Sequence, residues 1–264
     1  MKRVNRTNVM LLAMVLLLCA GVVAELQREE WLLSKPLTAL KNQHIHSIVV
    51  SCADCRARRF EMLQGRWWMR EPYAMAANPE SIARLLAIAQ APVRKRRAAT
   101  EFDPAKLGLS PPQALLSFGD VRIEFGGTDA INGDRYVRLH DEIALVPDRF
   151  SAWLMAPAES ELDHHLVPIG GQVRQLRVDG IEHADLIPAW VRAETGQVVA
   201  AKSTSGEPGD ASHRIELDLA DGETLRYSLR RDGADYVAVR AQPALAYGLE
   251  EKQVRGLLPA SGQH

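Results

Sequence analysis

By type and spacing, the residues best suited to chemistry are Cys52 and Cys55, in the run Cys52-Ala53-Asp54-Cys55. Two cysteines separated by two residues can exchange dithiol for disulfide, and a neighbouring helix N-terminus or cation makes the thiol reactive. The redox form of this motif opens a helix after a strand. The flanking pattern here puts the pair at the tip of a β-hairpin instead, where a local disulfide in an oxidising compartment is the simpler role. Arg56 follows Cys55 where a histidine would be needed for covalent haem attachment.

Other constellations are thinner. His44 and His46 share a strand face by parity and could join the cysteines around zinc, but the spacing matches no recognised zinc arrangement. Asp163-His164-His165 falls in a polar, Pro- and Gly-flanked stretch and is expected on the solvated surface. Gly126-Gly127 is too short to claim a phosphate, and no GxSxG, HExxH, Walker or GxGxxG pattern occurs. Serines, histidines and aspartates are present, but no spacing brings a triad together. The sequence therefore assigns no catalytic, metal-binding or cofactor-binding residue and calls for no cofactor. Its one candidate site is the Cys52, Cys55 pair, as a disulfide.

The elements that position these residues read as short strands. Ile48 and Val50 alternate inward, then Phe60 and Met62, with the cysteines between them; Trp67-Trp68-Met69 makes a third strand. Asn78-Pro79 starts a helix as N-cap and first helical residue. Ile82, Leu85, Leu86 and Ala89 give it one apolar stripe. The hairpin Ala114 to Phe125 turns at Gly119-Asp120, which sets Phe118 opposite Val121 and Leu116 opposite Ile123. Strands follow at residues 136–139 and 143–146, and Asp148 can cap a short helix carrying Phe150, Trp153 and Leu154. Residues 157–171 look like a linker. Beyond it come a strand at 173–178, a helix through Trp190, a strand at 198–201, a hairpin from Arg214 to Leu229, a strand at 236–239 and a closing helix with Val254 and Leu257.

Ahead of all this lies Val9 to Ala24, sixteen residues without a charge, preceded by Lys2, Arg3 and Arg6 and followed by Glu25, Glu29 and Glu30. As a helix that run spans about 24 Å, against roughly 30 Å for a hydrocarbon core; Leu26 and Trp31-Leu32-Leu33 could extend it. Basic residues before and acidic residues after predict that the bulk of the chain is translocated. The length favours an uncleaved signal anchor over a signal peptide cut after Ala24. Leu18 stands where a lipidated Cys19 would need a small residue.

Composition excludes some classes. A formal net charge of -1 gives no electrostatic case for nucleic acid. The basic run Arg94 to Arg97 fits a loop or strand edge. An apolar fraction of 47% is ample for a core.

A weak internal repeat is visible when the chain is laid on itself 167 positions apart: Ile48 meets Ile215, Val50 meets Leu217, and Phe60 meets Tyr227. The faces of the second hairpin agree only if Ala220-Asp221-Gly222 forms a three-residue loop, which sets Ile215 opposite Tyr227 and Leu217 opposite Leu225.

Phe102 followed by Leu107-Gly108-Leu109-Ser110-Pro111-Pro112, then Tyr136-Val137-Arg138 and Leu145-Val146, resembles the family of domain of unknown function 4340. With the N-terminal apolar run, the Trp67-Trp68 strand and the helix from Ile82 to Ala89, the likeness covers roughly residues 1–155. Many members carry Tyr where this chain has Phe102. The resemblance implies a bacterial envelope protein, sometimes encoded near gliding-type ABC transporter components, and it supplies no catalytic residues.

Together these readings give an α+β protein: an N-terminal transmembrane helix, then antiparallel β-sheet and helix lobes with a possible two-fold repeat. The boundaries are an anchor at 1–24, a stalk at 25–43, a first lobe at 44–157, a linker at 158–171, a second lobe at 172–259 and a tail at 260–264. The expected function is a non-enzymatic, membrane-anchored periplasmic accessory of the bacterial inner membrane, binding a protein partner or envelope component of a transport or envelope assembly. The alternatives are a thiol-disulfide redox protein using Cys52 and Cys55, and a small-ligand or lipid-binding module.

Overall fold

The computed structural model describes residues 6–32, 36–53, 55–201 and 212–259, and on the first helix it describes side chains only at 10–23. Helix α1 is Arg6–Leu32, 27 residues. Every described side chain on it is exposed, the large apolar ones from Val23 at 52% to Met10 at 77%. Among the described residues no helix is long and apolar enough to cross a membrane. The described stretch 10–23 rises about 21 Å, short of a roughly 30 Å core. The side chains of the acidic flank and of Trp31 lie outside the described residues.

The chain re-enters at Pro36, and what the sequence suggested as a stalk is partly core. Leu37 is fully buried, and its N–H donates to Ala91 O at 2.8 Å. The first sheet is built from β1 (Ser47–Cys52), β2 (Arg58–Leu63), β3 (Arg66–Glu71), β4 (Met75–Ala76), β5 (Lys95–Ala98), β6 (Ala114–Phe118), β7 (Val121–Thr128), β8 (Asp134–Leu139) and β9 (Glu142–Pro147). Its order is β4-β3-β2-β1-β6-β7-β8-β9-β5, and every pair is antiparallel. Between β4 and β5 runs α2 (Pro79–Ala89), where Asn78 Oδ1 accepts the N–H groups of Glu80 and Ser81 at 2.9 and 3.1 Å. That cap satisfies two of the four N–H groups a helix start leaves open. Ile82, Leu85, Ile88 and Ala89 are buried in the same hydrophobic cluster as Ile48, Phe60, Leu116 and Phe125 of the sheet. Helix α3 (Ser151–Leu154) follows β9, with Asp148 Oδ1 accepting the Ser151 N–H at 3.2 Å.

The second sheet contains β10 (Val173–Val178), β11 (Ile181–Glu182), β12 (Val198–Ala200), β13 (His213–Leu219), β14 (Thr224–Asp232), β15 (Asp235–Arg240) and β16 (Leu245–Leu249), in the order β11-β10-β13-β14-β15-β16-β12. Helix α4 (Ile187–Arg192) brings Trp190 onto it, fully buried, with Nε1 donating to Leu257 O at 2.9 Å. The short α5 (Glu251–Val254) closes the lobe with Val254. Ile215 lies opposite Tyr227 and Leu217 opposite Leu225, the register that the three-residue loop requires, and Gly222 carries its φ of +92°.

The spatial order β2-β1-β6-β7-β8-β9-β5 in the first sheet has the same connectivity as the whole second sheet. A hairpin, a helix, a crossing strand to the far edge and a four-stranded meander occur in both. This correspondence lays β1 and β2 over β10 and β11, not over β13 and β14 as the 167-residue offset does.

Residues 157–171 are not a solvated linker. Glu159, Glu161, Asp163, Leu162, Leu166 and Val167 are all buried, and one hydrophobic cluster runs through the segment from the first sheet to the second. Leu162 bridges Ala77 of the first lobe, and His165 bridges Glu194 of the second.

Candidate functional site

Cys52 ends β1, paired with Ala114 of β6, and Cys55 sits in the turn before β2. The two form a disulfide with Cα atoms 5.3 Å apart. A strand, not a helix, follows, so the pair does not open a helix as the redox motif does. Asp54 lies outside the described residues. His44 belongs to a single 3₁₀ turn, and the carbonyl of His46 accepts Met62 N–H at 2.9 Å. Among the described residues no group of three or more His, Cys, Asp or Glu side chains could hold a metal ion.

The densest polar chemistry is instead at the seam between the lobes. Arg58 starts β2 on the core face, two residues before Phe60, and is completely buried. Its Nη1 donates to Glu161 Oε1 at 2.7 Å and to Trp153 O at 3.2 Å, and its Nη2 donates to Leu154 O. One guanidinium thus ties β2 to the end of α3 and to the inter-lobe segment. Burial pushes the Glu161 carboxyl up to about 7 despite the opposing pull of Arg58. Nearby, the Tyr73 hydroxyl donates to Glu159 Oε1 at 2.5 Å, and burial together with that carboxylate raises the phenol to about 12.

The seam continues toward the second sheet. Asp163 is buried, receives His165 Nδ1 at 2.7 Å, and its N–H donates to Ala76 O. The Tyr227 hydroxyl donates to Leu166 O at 2.5 Å, and burial raises its pKa far above the ordinary phenol. Tyr247 is also raised by burial, with the Arg240 guanidinium acting against it. Arg240 is buried and donates through Nη2 to Glu223 Oε1 at 2.8 Å. Most of these groups are held by backbone carbonyls or by each other. The cluster's clearest capacity is to clasp the lobes together.

Sequence reasoning missed Arg58, Glu161 and Asp163 as buried groups. One signal was available for Arg58, because strand parity places it on the same face as Phe60. Glu161 and Asp163 carry no such signal: their burial depends on contacts made from both lobes.

The residues that carried the family resemblance also have places. Gly127 N–H donates to Leu107 O at 2.8 Å, and a Cβ on Gly126 would stand 2.3 Å from that same oxygen. Leu107-Gly108-Leu109 therefore lies directly against the glycines of β7, and Gly108 adopts a φ of +67°. Arg135 secures the joint from below, with Asp148 at 2.8 Å, Gln113 at 3.0 Å and Gly126 O at 2.5 Å. Burial opposes ionisation of Asp148, but the Ser151 hydroxyl and Arg135 hold its carboxyl below the usual range. Gly126-Gly127 is a packing joint.

Each sheet also bears a hollow at its crossing strand. In the first lobe Tyr136, Ile143, Leu145 and Phe102 enclose about 340 Å³ beside β5. In the second, Val199, Val237, Ala246 and Gly248 floor about 770 Å³ beside β12, rimmed by Arg230, Asp232, Asp235 and Glu250.

No curated protein and no solved structure matches the chain. The model of one family, described as Domain of unknown function (DUF4340), matches residues 67–252. The match begins at Trp67, later than the likeness read from the sequence, and it runs on through β16 into α5. It covers most of both lobes, and the chain belongs to the DUF4340 family.

Proposed function

We propose that the protein is a membrane-tethered, non-enzymatic accessory of the bacterial envelope whose two-lobed body binds a protein partner or envelope component. The observation that supports this is α1: the apolar side chains at 10–23 are exposed all round the helix and pack on nothing else among the described residues. A helix that is apolar on every face needs an apolar surround, and a bilayer supplies one. The basic residues before the run and the acidic residues after it favour a translocated body, in a periplasm that would also suit the Cys52–Cys55 disulfide. Tethering raises the body's effective concentration toward partners in the same membrane. Cysteine-directed or photo-crosslinking in cells, from exposed positions on either lobe, should trap one recurrent membrane or envelope protein; a body that crosslinks only to itself would argue against the partner.

The thiol-redox alternative rests on the same disulfide. It predicts that replacing Cys52 and Cys55 by serine abolishes function in a folded protein, whereas the accessory reading predicts loss of stability with function retained.

A further inference from the structure

We infer that the hollow beside β5 is a binding site for a small amphipathic carboxylate, a molecule with an apolar or aromatic body and one anionic end. The outer face of a sheet whose inner face is core is ordinarily polar. Here the pairing register builds something else. Lys95 lies opposite Leu145, and Leu145 opposite Tyr136, so cation, aliphatic and aromatic side chains form one row across β5, β9 and β8. The adjacent row is Arg97, Ile143 and Arg138.

Three features fit a ligand better than plain packing. Ile143 is buried to 3% although it points away from the main core, because residues 99–102 fold back over the outer face and bring Phe102 to the wall. Phe102 and Tyr136 remain half-buried, so the aromatic surface is only partly used by the protein itself. The charges at the rim are unequal. Arg97 is engaged by Glu101 at 2.9 Å, and Arg138 by Glu124 through Nε at 2.6 Å. Lys95 is exposed and has no ion-pair or hydrogen-bond partner among the described residues. With Glu101 matched to Arg97, the mouth carries one uncompensated positive charge over an apolar floor.

A volume of about 340 Å³ lies at the small end of ligand sites. It suits a ring or short chain with its carboxylate turned out toward Lys95. The corresponding hollow of the second lobe has the opposite rim, with Asp232, Asp235 and Glu250 against Arg230. The carboxylate preference therefore belongs to the first lobe, and this inference is independent of how the chain is anchored.

The test is calorimetric titration of the full chain in lipid nanodiscs with 4-phenylbutyrate, with empty nanodiscs as the blank. Ligand efficiency for about a dozen non-hydrogen atoms sets the expected Kd near 1 mM. Saturable one-to-one binding is expected, weakened about threefold in Lys95→Gln, the loss typical of one exposed charge pair. The uncharged 4-phenylbutyramide should bind the unmodified protein as weakly as the carboxylate binds that variant. Lys95 is exposed, so the variant should fold, and an unchanged melting temperature would verify this. Absence of saturable binding up to about 10 mM, or equal affinity for carboxylate and amide, or no effect of Lys95→Gln, would each overturn the proposal.

Discussion

Arg58 is the side chain on which the join between the lobes most depends. Its buried charge is met at both Nη atoms by Glu161 and two carbonyls of α3, while Nε is left without a partner among the described residues. Removing one partner of a buried pair leaves the other uncompensated, at a cost of about 3–5 kcal/mol. Arg58→Ala should therefore destabilise the protein by that amount in urea, while Arg59→Ala, at a half-exposed neighbour, should cost less than about 1 kcal/mol. The pair also sets a pH dependence. Glu161 binds its proton more tightly folded, at about 7, than at its ordinary value of 4.5. Its protonation favours the fold fully below the lower value, and that contribution is lost as pH rises through the upper one. Relative to Glu161→Gln, the unmodified protein should lose stability between about pH 4.5 and pH 7; parallel profiles for the two proteins would contradict the burial argument. The cysteines act on a smaller scale. A four-residue disulfide loop restricts the unfolded chain by about 2 kcal/mol, so the double serine variant should melt earlier without changing shape, as circular dichroism can check.

Hairpins were legible because turn chemistry and alternation agree there. Gly119 with its positive φ and Gly222 at the end of a three-residue loop both set the registers expected of them. The N-cap Asn78 and the stripe on α2 were equally plain, and Leu85→Ala should cost about 2–5 kcal/mol as a fully buried deletion. Other elements were hidden for physical reasons. β16, Leu245–Leu249, contains Gly248 and follows Pro243, so local propensity argues against a strand that β15 and β12 hold in place from both sides. The segment 157–171 carries Pro157, Pro168, Gly170 and Gly171, which punctuate like a linker, yet its apolar residues fill space that only the folded lobes create. The β7 glycines were noticed and left without a role. A Cβ at Gly126 would collide with Leu107 O and lie 2.9 Å from Leu109 Cγ. Gly126→Ala should thus displace the Leu107-Gly108-Leu109 loop and cost about 1–3 kcal/mol, and amide exchange in residues 107–109 should accelerate.

At the scale of the molecule, two sheets with the same connectivity are joined through a buried segment bonded to both. The hydrophobic cluster is continuous across that segment, so the lobes should unfold together. Hydrogen exchange in β7 and in β14 should report the same global opening energy; distinct midpoints would contradict a shared core. Ahead of this body in the chain runs α1, apolar on every described face. The charge asymmetry around it, basic before and acidic after, is plain in the first line of the sequence; a binding partner for the body is not, because partner recognition leaves no fixed spacing in a scaffold. The role proposed for this helix is to keep the body at a membrane. The most direct measurement is carbonate extraction of membranes from cells expressing the full chain, with the N-terminus of the recovered protein sequenced. The protein should stay in the membrane pellet with Val9 to Ala24 intact; a soluble product beginning at Glu25 would show that the segment is cut off and rule out the tether.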